Sequence, residues 1–114
     1  MTAEEKVELI VGVADAMKAE AIETLDIKNK TSIADYFVVC TGTNDRQISA
    51  IADEVDIKMR EHKERATRSE GDGSGWVLQD YGDVVLHIMR DEQRQFYDLE
   101  TLWKTMQPDP NLHQ

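Results

Sequence analysis

The stretch that decides the fold is Trp76-Val77-Leu78-Gln79-Asp80-Tyr81-Gly82-Asp83-Val84-Val85-Leu86-His87. Two apolar runs of strand length, 76–79 and 84–89, flank a polar turn through Asp80-Tyr81-Gly82-Asp83. Such runs bounded by turn residues predict a β-hairpin. Alternation sets Trp76, Leu78 and Asp80 on one face of the first strand, and Val77 and Gln79 on the other. In the second strand Val84, Leu86 and Ile88 form a wholly apolar face. Two readings of Trp76 and Leu78 stand open. Either they pack in the core, or an aromatic beside an Asp and a Tyr anchors an interface, a task that suits rings with few rotors and much area.

Working outward, Glu70-Gly71-Asp72-Gly73-Ser74-Gly75 reads as a flexible loop with three glycines. Residues 65–69 read as a short edge strand. Before them Ile48, Ile51, Val55 and Met59 recur at helical spacing and predict a helix to about residue 64. Thr43 or Asn44 caps it, with Asp45 favourable near its N-terminus. Tyr36-Phe37-Val38-Val39-Cys40 is a continuous apolar run, expected as a central strand buried on both faces. Asn29-Lys30-Thr31-Ser32 is a turn, and Leu25-Asp26-Ile27 a short strand. Residues 3–23 predict an amphipathic helix carrying Val7, Ile10, Val11, Ala14, Met17 and Ala21. After the hairpin, Asp91 is expected to cap a last helix with Phe96, Leu99, Leu102 and Trp103 on one face. Pro108-Asp109-Pro110 ends it, and residues 107–114 are expected to be a disordered tail after a single domain over 1–106. The class is α/β or α+β, a mixed sheet of about five strands packed with three main helices.

The chain has 114 residues, enough for one domain with its own core, and a single cysteine, Cys40, so no internal disulfide forms. That fits a reducing compartment. The N-terminus lacks the pattern of a signal peptide, and no apolar run approaches the ~20 residues of a membrane span. A cytoplasmic protein is expected. With 13 Lys and Arg against 23 Asp and Glu, the net charge is −10. Such a surface is repelled by bare nucleic acid and drawn to basic partners, or serves solubility alone.

Chemistry finds little purchase. His62, His87 and His113 are scattered and make no ligand spacing with Cys40, so no metal is expected. Cys40, at the end of a buried strand, reads as a small hydrophobe, although the helix that follows offers an N-terminus that would activate a thiol. Thr41-Gly42-Thr43-Asn44 between strand and helix is a weak candidate phosphate turn, lacking any complete nucleotide motif. It motivates an alternative reading as a nucleotide-binding or nucleotidyltransferase enzyme. Asp80 and Asp83 lie three apart across a turn, where Asp commonly bonds its own backbone, rather than two apart on a strand as paired metal ligands would.

Two long segments, "ADYFVVCTGTNDRQISAIADEV" (34–55) and "GWVLQDYGDVVLHIMRDEQRQFYDLETLW" (75–103), closely resemble the ribosomal silencing factor family, also called Iojap-related. The resemblance runs from about Lys6 to Trp103. It implies a non-enzymatic translation repressor with no cofactor and a nucleotidyltransferase-like fold. Such proteins bind the large ribosomal subunit through large-subunit ribosomal protein fourteen and block docking of the small subunit when nutrients fall. It also implies that the partner surface comprises Trp76, Leu78, Asp80, Tyr81 and Asp83. Trp76 and Tyr81 would be aromatic anchors, with Leu78 excluding water beside them. Asp80 and Asp83 would meet Lys or Arg of the basic partner. Gln79 stands where the family leads one to expect a more apolar residue, so that face of the strand is expected to be wetter. A homodimer through a sheet edge is compatible with this reading. The absence of a transit-peptide-like extension favours a bacterial form.

Overall fold

The computed structural model describes residues 1–110. In chain order the elements are α1 (Ala3–Ala16), β1 (Glu20–Asp26), β2 (Tyr36–Thr41), α2 (Asp45–Glu61), β3 (Arg68–Glu70), β4 (Trp76–Asp80), β5 (Val84–Met89), α3 (Asp91–Tyr97) and α4 (Leu99–Thr105). The strands form one mixed five-stranded sheet in the order β1-β2-β5-β4-β3, as the α+β class requires. β2 and β5 run parallel, and the other pairs are antiparallel.

Gly82 lets the hairpin close. Its φ is +86°, a region that residues with a Cβ rarely adopt, while Asp83 stays at negative φ. The two residues form the tip of the turn between β4 and β5. Tyr81 N–H donates to Val84 O at 2.9 Å across it. The register follows, with Trp76 opposite Met89 and Asp80 opposite Val85.

β5 lies at the centre of the sheet and every residue of it is buried, which is why its sequence is a continuous apolar run. On one face α1 and α2 lay Ile10, Ala14, Ile48, Ile51, Val55 and Met59 over Val38, Cys40, Val77, Val84, Leu86 and Ile88. Each large aliphatic fully buried there contributes roughly 1.5–3 kcal/mol. On the other face Leu25, Ile27, Phe37, Val39, Val85 and Met89 form a second cluster, roofed by Leu99 and Trp103 of α4. Trp76 and Leu78 lie at its margin, half-buried.

Several boundaries differ from the sequence reading. α1 ends at Ala16, not near residue 23, because Lys18 takes a left-handed φ of +66° and Ala19 N–H turns back to Ala14 O at 2.9 Å. No glycine announces that stop. Ala21, counted above with the helical stripe, is an exposed residue at φ +48° beside an irregularity in β1, which starts at Glu20. The expected last helix is two short ones, broken at Asp98 with φ +44°. Asp98 accepts from Thr101 N–H at 3.3 Å and so caps α4. The break shifts the helical phase, so Leu99 and Trp103 face the sheet while Phe96 and Leu102 are exposed. Asp91 is not the cap of α3. That position is Arg90, whose side chain makes no capping bond, and Asp91 instead accepts from Gln95 Nε2 at 2.7 Å. Asp109 N–H donates to Asn29 O at 2.7 Å. His113 and the last part of the expected tail lie outside the described residues.

The hairpin turn is clamped from two sides. Lys6 of α1 donates to Tyr81 O at 3.0 Å and to Asp83 Oδ1 at 2.8 Å, with Glu64 at 3.5 Å. Burial pulls the Lys6 ammonium down, but Asp83 and Glu64 together hold it above the usual lysine range. Asp83 O also accepts from Asp35 N–H at 2.7 Å and Tyr36 N–H at 3.1 Å. Lys6→Met is therefore expected to lower stability by about 1.5 kcal/mol, the scale of a charge-assisted bond. Urea unfolding would report this, and an unchanged midpoint would show that the clamp contributes nothing.

Candidate docking face

β4 sorts its side chains strictly by alternation. Val77 and Gln79 point under α2, while Trp76, Leu78 and Asp80 point to the opposite face. The face holding Gln79 is dry, contrary to expectation. Gln79 is 5% exposed, and its Nε2 donates to Ala52 O of α2 at 3.0 Å. A buried amide is tolerated when its polar atoms find partners, and Gln79 Oε1 also accepts from Tyr81 Oη at 3.3 Å.

Tyr81 corrects a second expectation. The resemblance implies an aromatic anchor at Tyr81, but it is 3% exposed and packs in the core beneath the helices. Its hydroxyl points towards Asp56 of α2, and burial, then the Asp56 charge, pushes its pKa up. Alternation continues through residue 81, so Tyr81 shares the face of Val77 and Gln79 rather than that of Trp76. It supports the turn from below.

The opposite face is half-covered. The Trp76 indole N–H donates to His87 Nδ1 at 3.1 Å, and its ring meets Tyr97 of α3 at 4.8 Å between centroids. His87 is 3% exposed and its ring meets that of Phe37 at a tilt, 4.5 Å between centroids. Because Nδ1 accepts, the proton sits on Nε2, which has no partner among the described residues. Burial holds the His87 pKa down at about 4, so the ring is neutral at physiological pH. Trp76, Leu78 and Glu70 line a shallow cavity of about 270 Å³. Glu70 lies across from Leu78, and Arg68 across from Asp80, on the short, exposed edge strand β3.

The two turn carboxylates are engaged separately. Asp80 Oδ1 accepts from Gly82 N–H at 2.8 Å, the local turn bond expected of it. Asp83 pairs with Lys6 and keeps a side-chain exposure of 37%. Among the described residues no three His, Cys, Asp or Glu converge as a metal site would need. Cys40 is fully buried and its thiol is pushed up to about 12 by desolvation, so it is protonated at neutral pH. The turn after β2 is also occupied by the chain itself. Thr43 N–H donates to Gln47 Oε1 at 2.7 Å, and Asn44 Oδ1 accepts Gln47 N–H at 2.8 Å as the cap of α2. A Cβ on Gly42 would lie 2.5 Å from Ile48 Cγ1, so close packing accounts for this glycine without a phosphate. No helix among the described residues is long and apolar enough to cross a membrane.

Fold and face together define an acidic α+β protein with a half-covered, aromatic-centred sheet face. The family model described as "Ribosomal silencing factor during starvation" matches residues 1–114. The chain is 41% identical over 90 residues to the ribosomal silencing factor of Bacillus subtilis, covering 78% of this chain and 76% of that one. It is 38% identical over 104 residues to that of Halalkalibacterium halodurans, covering 90% and 89%. A crystal structure of a Chromobacterium violaceum protein superposes with a TM-score of 0.88 at 35% identity, over 96% of this chain and 92% of that one. The chain belongs to the ribosomal silencing factor family, also called Iojap-related.

Proposed function

We propose that this protein binds the large ribosomal subunit through large-subunit ribosomal protein fourteen and sterically blocks docking of the small subunit, damping translation when nutrients are short. The observation that carries this reading is the row Trp76, Leu78 and Asp80, a half-buried aromatic and aliphatic pair ending in a carboxylate on a half-covered sheet face. A half-buried Trp is the residue type from which interface anchors are made, and Leu78 would exclude water beside it. Asp80, and Asp83 on its flank, supply the acidic groups that would meet Lys or Arg of a basic partner, in keeping with a net charge of −10. Tyr81 acts through the turn it supports, holding Asp80 and Asp83 in place rather than touching the partner. The cytoplasm, where ribosomes work, is the compartment that goes with this role.

Mixing purified large and small subunits with increasing amounts of the protein tests the proposal by sedimentation. The expected result is loss of the joined particle at saturating protein, with the protein travelling with the large subunit. Joined particles forming equally well at saturation would end this reading.

A further inference from the structure

We infer that the docking face does not stop at β4 but continues onto α3, where Phe96 and Tyr97 form its outer wall against the same basic ribosomal partner. The inference rests on the function proposed above and extends its surface. Phe96 is 81% exposed and Tyr97 51% exposed, on a helix held down chiefly through Arg94, which bonds to Thr41 and Glu100. A single exposed apolar side chain needs no explanation, but a contiguous aromatic surface does. Here the rings are in sequence. Phe96 meets Tyr97 edge-on at 5.0 Å, and Tyr97 meets Trp76 at 4.8 Å. Trp76 is in turn tied to the buried His87 by its indole N–H. The outermost ring is thus connected to the sheet through two aromatic contacts, and Phe96 itself fills no core.

The chemistry of the occupant follows from the charges around the wall. Glu92 and Gln93 border the cavity of about 310 Å³ that Phe96 and Tyr97 line, and Glu70 borders the one beside Trp76. Both carboxylates already face arginines, Glu92 facing Arg90 at 3.6 Å and Glu70 facing Arg68 at 3.5 Å, so it is the net charge of −10 that disfavours a nucleic-acid backbone and a second copy of this chain, each of which would bring like charge. It favours a protein surface with Lys or Arg around an apolar centre, stacked on the rings or paired with the carboxylates.

The test compares binding of purified large subunits to the native chain, Trp76→Ala and Phe96→Ala, with thermal unfolding of each. Phe96→Ala is expected to weaken binding about tenfold, the scale of a strong interface contact, while its unfolding temperature stays at the native value. Phe96→Tyr, which keeps the ring, is expected to restore most of the affinity. If Trp76→Ala weakens binding and Phe96→Ala does not, the wall on α3 is refuted while the site on β4 stands. If neither variant changes binding, the site itself is refuted. If Phe96→Ala instead alters self-association on dilution, with subunit binding intact, the wall serves a second copy and the inference is overturned.

Discussion

Trp76→Ala is expected to weaken binding to the large subunit by at least about 2 kcal/mol, some thirtyfold, the loss typical of an aromatic anchor. The structure defines what else the substitution removes. The indole N–H is the hydrogen-bond partner of His87 Nδ1, and the ring packs on Tyr97. Removing it leaves a buried acceptor unsatisfied, so some stability is lost with the contact. β4 nevertheless stays paired to β3 and β5 through its backbone, and Val77 and Gln79 keep their places under α2. A folded variant, by far-ultraviolet circular dichroism, with greatly weakened binding is the expected outcome. Native affinity in a folded variant would remove Trp76 from the interface. Loss of the fold would assign it to the core instead.

Acid is expected to destabilise the protein through His87 before the carboxylates contribute. The ring is neutral and buried, with a folded pKa of about 4 against an ordinary value of 6.5. The sign follows from which state takes the proton. Above pH 6.5 neither state binds it, and the stability is fully present. As pH falls from 6.5 towards 4 the unfolded chain is protonated and the folded chain is not, so stability drops. The full difference is about 3 kcal/mol, from 1.36 kcal/mol per pH unit. Protonation would also place a second N–H against the Trp76 N–H, which ties the loss to the docking face. Urea midpoints at pH 7.5, 6 and 5 should fall steadily for the native chain. His87→Gln, which keeps an acceptor for Trp76 but cannot titrate, should flatten that slope. An equal slope in the variant would show that the acid sensitivity lies elsewhere.

Most of the fold was legible in short runs of sequence. Tyr36 to Cys40 reads as a strand buried on both faces, and β2 is that strand, flanked by β1 and β5 and buried from Phe37 on. Thr43 or Asn44 reads as the cap of α2, and Asn44 is the one, while Gly82 marks the hairpin turn. The misreadings arose where the backbone adopts positive φ at residues that do not advertise it, Lys18, Ala21 and Asp98. At those points packing of the neighbouring elements outweighs a local preference worth roughly 1 kcal/mol. A helical stripe counted through such a break is out of phase beyond it, as Phe96 and Leu102 show.

The site divides along the same line. Sequence by itself determined the alternation that puts Trp76, Leu78 and Asp80 on one face, the turn between the strands and the acidic charge, because period and composition are local properties of the chain. Which of the two faces lies under the thick helical layer is a property of the whole assembly, set by where α1, α2 and α4 come to rest on the sheet. Only the tertiary structure decided that Gln79 and Tyr81 belong to the inner face and that α4 stops short of Trp76 and Leu78. It was also the packed structure that brought Tyr97 onto Trp76 and His87 beneath it, since those contacts join residues whose proximity depends on α3 folding back over β5.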